Sequence, residues 1–476
     1  ANWARGYINY CYVRGIIAGR GNNTFDPGAN VTGVEAAKML LAALGYNAEI
    51  EGLVGPDWAL NTAALAQQLG IFRNFTKDVS EPLNRDDAAL LIYNALDVEM
   101  IQQYSNGYAL VYADHRTILS SVFGVVRVEG VVTANEWARL EETDSDAALR
   151  EGKTTLDEVV VYDSTTSNTT VPEGVKEDDP VTFNVTTPVE YIGKAVTMYV
   201  EKTTILANSN VIGVATNDEA NVIHATTATE ETLKDLLDGT GIETDKNTQY
   251  YVNYGWCEDG ATEAVSLINM FPNKQLDENN GYYSLNGVDV EVIDNNDDGT
   301  AEYVLYTVET LSEVSRYSEK NETISFYQPT LTNKGLPTGD AETTTRDFDD
   351  VVFEGEVAVD DLILYVEYGG RTYVKLAEIV TDMMNRVDRD RNNELYITLD
   401  NGEEYRQSYI PDAAAMVDVD LTHFDIDNAK KDIGFDTLYD FVLDSAGYVV
   451  AVRPAEEVVT NYALVLGSAW TQNALT

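Results

Sequence analysis

The sequence predicts a multidomain chain: all-α helical modules at the amino end, then several antiparallel all-β modules of barrel or sandwich type. Three observations predict it. Two helical stretches near the amino end, 31–45 and 83–96, occupy the same place in a unit that repeats after some fifty-odd residues. Past residue 103 the hydrophobic period changes from helical to alternating. Polar turns carrying Gly, Asn or Asp then recur between short apolar runs, as they do in hairpins.

The repeat is legible residue by residue. Trp3 pairs with Trp58, Gly15 with Gly70 and Thr32 with Asn84, at offsets of 55, 55 and 52 residues. Thr32 suits an N-cap, and Glu35 three residues on completes a capping box; Asn84 and Asp87 offer the same arrangement. Apolar residues follow on one face, Ala36, Ala37, Leu40, Leu41 and Leu44 in the first copy, Ala88, Ala89, Ile92, Ala95 and Leu96 in the second. Gly45 is placed to end the first of these helices. A further helix precedes each, opened by a tryptophan and closed at Gly15 or Gly70. Cys11 falls on the first of them and is expected as a small buried hydrophobe.

Trp3-Ala4, GIIAGRGNNTFDP (15–27) and VTGVEAAKML (31–40) together resemble the S-layer homology module. Residues 58–96, from Trp58-Ala59 through Leu69-Gly70-Ile71 to NRDDAALLIYNAL, resemble a second, more diverged copy, so the likeness covers about residues 1–100. It implies a bundle of three such modules that binds a pyruvylated secondary cell-wall polysaccharide, with an arginine reading the acidic sugar. Arg85 matches that arginine, and Trp3 and Trp58 join it as expected polymer-binding residues. A guanidinium fork gives paired, charge-assisted bonds to a carboxylate. The first copy has Gly33 at the arginine's place, and Asn23 stands where the family often has glycine. Only two copies are visible, so a further one is expected upstream.

The domain plan is then 1–48 and 49–103 for the two helical repeats, and 104–180 for a β module with a helical insert. One or more β modules follow over 181–330, a loop or boundary over 331–350, and C-terminal β modules over 351–476. GVVRVEGVVTA (124–134) reads as two strands paired about Gly130, and DEVVVYDS (157–164) as another. Residues 192–216, 357–380 and 435–453 share one plan of strand, polar turn and strand, the mark of a recurring β unit. Asp400-Asn401-Gly402 marks another hairpin within 393–408. EETLKDLLDG (230–239) reads as a lone helix, and 456–470 as a strand pairing with the fold, with a neighbouring molecule, or leading onward.

Composition sets limits. Eighty acidic against 31 basic residues leave a net charge of −49, which repels nucleic acid and anionic lipid and attracts divalent cations. No apolar run is long enough to insert in a membrane. Cys11 and Cys257 do not make a disulfide framework.

Among possible metal sites, IDNNDDGTAEYVLY (293–306) stands out. Asp294, Asn296, Asp298 and Glu302 alternate around Gly299, with the Thr300 carbonyl between, as hard oxygen ligands do at the start of a calcium loop (294–302). The twelfth-position acid is missing, since Leu305 stands there; the bland alternative is an acidic hairpin turn. Asp388, Asp390 and Asn392 are similarly spaced but have arginines between them. Catalysis finds no motif: His115, His224 and His423 lack metal-ligand spacing, and LPTG (336–339) sits internally with no apolar tail.

The expected function is therefore that of a non-enzymatic, extracellular, bacterial cell-wall protein that anchors through its helical modules and self-assembles as a homo-oligomeric array or filament spaced by Ca2+. The alternatives are an adhesin binding glycans through its β modules, with Trp256 as the first aromatic to examine, and a wall-tethered polysaccharide-degrading enzyme.

Overall fold

Thr32 and Asn84 cap their helices as the sequence predicts. In the computed structural model the Thr32 hydroxyl accepts the Glu35 amide, while Glu35 accepts the Thr32 amide at 3.0 Å; Asn84 and Asp87 do the same at 2.8 and 2.9 Å. The structure describes residues 2–19, 24–113, 115–140, 148–162, 180–203, 205–218, 220–227, 233–258, 260, 286–331, 337–391, 395–417, 420–435 and 437–455. They fall into two compact units, 1–137 with 149–221, and 138–148 with 222–476.

The first unit opens with four helices, α1 (Arg5–Val13), α2 (Gly33–Ala43), α3 (Trp58–Gln68) and α4 (Arg85–Leu96). Three close on a glycine with positive φ. Gly15 (72°), Gly45 (96°) and Gly70 (73°) each donate to the carbonyl three residues back, and the following residue donates five back. That identity of geometry at Gly15 and Gly70 supports the repeat in three dimensions. The two copies interlock: the Leu83 amide donates to the Val31 carbonyl at 2.9 Å, and the Val34 amide to the Val79 carbonyl at 2.8 Å. Ala37, Leu41, Leu44, Leu53, Ala66, Ile71, Leu91 and Ala95 form the core between them.

Two expectations for these helices need correction. No residue of α1 is buried among the described residues, and Cys11 is half-exposed, because α1 is not covered by the other helices. On α4 the buried face is Leu91, Asn94 and Ala95, leaving Ile92 half-exposed and Ala89 outside. The rotation has a polar cause. Asn94 Nδ2 donates to the carbonyls of Ile71 (3.0 Å) and Arg73 (2.8 Å), so a buried amide satisfies the chain after α3 and occupies the space that an apolar residue was expected to fill.

A small hairpin, β1 (Ile101–Ser105) with β2 (Tyr108–Val111), and a short helix, α5 (Ile118–Val122), lead to a five-stranded sheet. Its strands are β3 (Val125–Asn135), β4 (Thr154–Tyr162), β5 (Val181–Phe183), β6 (Ala195–Glu201) and β7 (Val211–Thr216), in the order β5-β4-β3-β6-β7. The pair of strands expected about Gly130 is instead one strand, β3. Gly130 sits mid-strand at a bulge, where a Cβ would lie 2.7 Å from the Asp157 carbonyl oxygen; glycine is there to let β4 approach, not to turn the chain.

The second unit begins with β8 (Val222–Thr227), a helix α6 (Leu233–Leu237) where a lone helix was expected, β9 (Gln249–Val252), β10 (Gly255–Trp256), β11 (Val288–Asp294) and β12 (Tyr303–Val308). These strands form a sheet in the order β10-β9-β12-β11-β8. Next come β13 (Thr310–Ser318), β14 (Thr323–Leu331), β15 (Pro337–Asp347), β16 (Val351–Glu354), β17 (Leu362–Tyr368) and β18 (Arg371–Leu376). The last set is β19 (Glu378–Arg389), β20 (Leu395–Leu399), β21 (Glu404–Tyr405), β22 (Thr422–His423), β23 (Leu438–Leu443) and β24 (Val449–Pro454). The stretch expected as a loop, 331–350, holds β15, whose Thr-rich run pairs with β14 from Thr323↔Asp347 to Leu331↔Pro337. Threonine favours an extended chain, and composition alone mistook it for a loop.

The last two sheets run β15-β14-β13-β17-β18-β16 and β21-β20-β19-β23-β24-β22, the same order. A long central strand pairs with a later hairpin through its first half and with the next strand through its second: β19 meets β23 over 378–383 and β20 over 384–389. The β3 sheet has the same strand order without the sixth strand among the described residues, but β3 pairs with β4 and β6 together over 127–131. The hairpins β6–β7, β17–β18 and β23–β24 fall within the three stretches that share a pattern in the sequence, so the recurring β unit is real at the level of topology. The antiparallel expectation is too narrow, because β9 pairs with β12 and β16 with β18 in parallel. None of the strand orders closes into a barrel among the described residues. The stretches 163–179 and 456–470 lie outside them.

Candidate functional site

Two hollows flank α2. The first, about 360 Å³, lies between residues 15–19, the 25–31 segment, α2 and Trp58. The second, about 590 Å³, lies between α2 and the start of α4 and is lined by Asn84, Arg85, Ile92 and Met39. Trp58 is half-buried in the first, and Arg85 is exposed in the second. Met39 and residues 29–31 line both, so one helix separates the predicted tryptophan from the predicted arginine. Trp3, 78% exposed, lines neither hollow. Asn23 lies outside the described residues.

Arg85 makes no hydrogen bond or ion pair with the described residues. It is the first residue of α4, where the amide ends already create positive potential, and a cation there gains nothing from the helix. The neighbouring carboxylate of Asp87 is taken by Lys77 at 2.5 Å. The result is an unneutralised guanidinium beside a helix N-terminus, a favourable place for a carboxylate.

Sequence reading missed Lys38. Its Nζ lies 5.0 Å from the centre of the Trp58 ring, it has no ion-pair partner among the described residues, and burial lowers its pKa. The only sequence signal was a lysine among the apolar residues of α2. A second contrast concerns charge. Residues 1–100 hold 7 basic and 11 acidic side chains, so nearly all of the chain's −49 belongs to the β region.

The acidic stretch 294–302 joins β11 to β12. Carboxylate oxygens of Asp294, Asp298 and Glu302 lie within 4.8 Å of one another. The loop's own groups hold them: Asp294 Oδ2 accepts the Gly299 amide (2.8 Å), Asp298 the Thr300 amide (2.8 Å), and Glu302 both the Asn295 amide and Asn296 Nδ2 (each 2.8 Å). Asn296 therefore turns its amide nitrogen to Glu302, and Thr300 its amide to Asp298. Burial pushes the Glu302 pKa up, Asp294 and Asp298 push it further, and amide donors oppose them. A cation would relieve that repulsion. Leu305, at the missing twelfth position, is a buried residue of β12. Elsewhere, Arg406 pairs with Asp390 at 2.8 Å, which neutralises the other Asp-rich stretch; Asn392 lies outside the described residues. Trp256 is half-buried on β10 opposite Tyr251.

Residues 1–37 match the family model of the S-layer homology domain. The second helical copy rests on its shared caps and helix ends. A cell surface protein of Thermoanaerobacter kivui is 29% identical over 201 residues, covering 42% of this chain and 22% of that protein. A middle cell wall protein of Brevibacillus brevis is 27% identical over 37% of this chain and 17% of its own length. A surface layer protein of Brevibacillus choshinensis is 26% identical over 30% and 12%. The chain thus spans less than a quarter of these relatives. Together they indicate an extracellular, cell-wall location.

Proposed function

From the premise of an amino-terminal S-layer homology domain on a cell-surface chain, we propose a structural, non-catalytic protein of the cell envelope. It anchors through its helical repeats to an acidic secondary cell-wall polysaccharide and lines up with its own copies in an array or filament. One observation carries the anchoring: two cations without ion-pair partners among the described residues, Lys38 on α2 and Arg85 on α4, line the hollows on the two sides of α2, in the least acidic part of a chain of net charge −49. Trp58 offers a sugar ring an aromatic face beside one of them. The opposite charge of an anionic polymer favours this end over the β region.

Binding to isolated cell walls tests it. The full chain is expected to co-sediment with walls that keep their polysaccharide and to stay in solution once the polysaccharide has been stripped. Equal sedimentation with both would overturn the anchoring.

Assembly would use sheet edges for lateral contact and calcium to offset acidic repulsion, with Asp294, Asp298 and Glu302 as the first ligands. Calcium that binds only the folded chain stabilises it by about 2.7 kcal/mol at a hundredfold excess over Kd. The expected result is a rise in Tm with calcium that chelator reverses and Glu302→Gln abolishes, with ordered assemblies in electron micrographs lost under chelator. A Tm indifferent to calcium would remove the ion from the proposal.

A further inference from the structure

The turn Val252-Asn253-Tyr254-Gly255, which joins β9 to β10, holds two consecutive non-glycine residues at positive φ, Asn253 at 49° and Tyr254 at 62°. A two-residue turn of this hand favours Asn-Gly, and for a tyrosine the second position is strained. The strain is held from beneath. Asn253 Nδ2 donates to the Val308 carbonyl at 3.0 Å, Asn253 Oδ1 accepts the Val308 amide at 2.8 Å, and the Asn253 amide donates to the Tyr306 carbonyl at 2.8 Å. Backbone outliers locked in this way mark places where a side chain is being aimed.

Tyr254 is aimed at the β17–β18 hairpin. Its ring centre lies 5.0 Å from that of Tyr368, which stacks on Tyr373 at 4.3 Å and 17°. The three rings line a hollow of about 170 Å³ with Glu309, Glu354 and Lys375. Lys375 and Glu309 neutralise one another at 2.6 Å. Glu354, opposite Lys375 in the parallel β16–β18 register, is exposed and has no partner among the described residues. The Tyr373 hydroxyl is buried, beside the side chains of Tyr368 and Arg371. The hollow thus offers aromatic faces, the acceptor oxygens of Glu354, the edge of a tyrosine hydroxyl and a neutralised ion pair. An anion would meet the unpaired carboxylate of Glu354. A neutral sugar ring, apolar on its C–H face and ringed by hydroxyls, satisfies all of these groups.

We infer that the hollow between Tyr254, Tyr368 and Tyr373 binds one neutral sugar residue of a saccharide, with the ring seated on the tyrosines and its hydroxyls on Glu354 and Tyr373. This does not depend on the wall anchoring, which uses residues of the other unit.

Saturation-transfer NMR on the full chain tests it, with neutral oligosaccharides released from the producing cell's own wall in one arm and cello- and xylo-oligosaccharides in the other. Binding in either arm that disappears in Tyr254→Gly supports the site, and the arm identifies the source. Glycine suits this turn better than tyrosine, so the variant is expected to melt no lower than the wild type, as a packing role would not allow. If it does melt lower, Tyr254→Phe decides: binding kept with the ring supports the site, and binding lost overturns it. No binding in either arm, or equal binding by wild type and Tyr254→Gly, also overturns it.

Discussion

Arg85→Gln is expected to weaken binding to isolated cell walls by about tenfold to a hundredfold while leaving the melting curve unchanged. A hydrogen bond to a charged group contributes about 1.5–3 kcal/mol, and that range sets the size of the loss. Nothing in the fold depends on this side chain: the N-cap belongs to Asn84, the reciprocal bond to Asp87, and Arg85 itself has no partner among the described residues. Lys38 and Trp58 remain, so binding should fall without vanishing. The loss should shrink at high salt, because an exposed ion pair is screened over a Debye length of about 10 Å at 0.1 M. Wall-binding isotherms at two salt concentrations, with circular dichroism melts alongside, measure both parts. An unchanged isotherm would take Arg85 out of the wall site.

Leu41→Ala is expected to unfold the helical repeats while the β sheets stay intact. Leu41 is fully buried, in one cluster with Ala37, Leu44, Leu53, Ala66, Ile71, Leu91 and Ala95, contributed by α2, α3, α4 and the segments between them. Truncating such a leucine costs about 2–5 kcal/mol through lost burial and the cavity left behind. A small core cannot absorb that from a typical domain stability of about 5–15 kcal/mol without populating open states. Hydrogen exchange should lose protection over residues 33–97 and retain it in β13–β18, and wall binding should be lost with it. Protection lost evenly along the chain would mean that the helices and sheets unfold as one.

What was legible in the sequence was chemistry with a short range. A capping box and a glycine helix end are decided by residues three to six apart, and Thr32, Asn84, Gly15, Gly45 and Gly70 all stand as read. The three recurring hairpins were legible for the same reason. The misreadings depend on distant partners. Asn94 is buried because the carbonyls of Ile71 and Arg73 need a donor, which no helical period reveals. Gly130 lies within one continuous strand because β4 passes close to it, and residues 337–347 become a strand because β14 is there to pair with. In the candidate site, Arg85 and Trp58 were found by resemblance. Lys38 needed the fold to set it over Trp58.

The long central strands have a mechanical consequence. In β13 and β19 one strand is held along its first half by a hairpin and along its second by the neighbouring strand, with a bulge at or just after the changeover. The hydrogen bonds of both ladders lie across the chain direction. A pull along such a strand loads the two ladders at once, in shear, and neither can be peeled open one bond at a time. A chain held at a cell surface by one end and tugged by flow at the other would yield in whole modules, each giving way abruptly and resisting until it does.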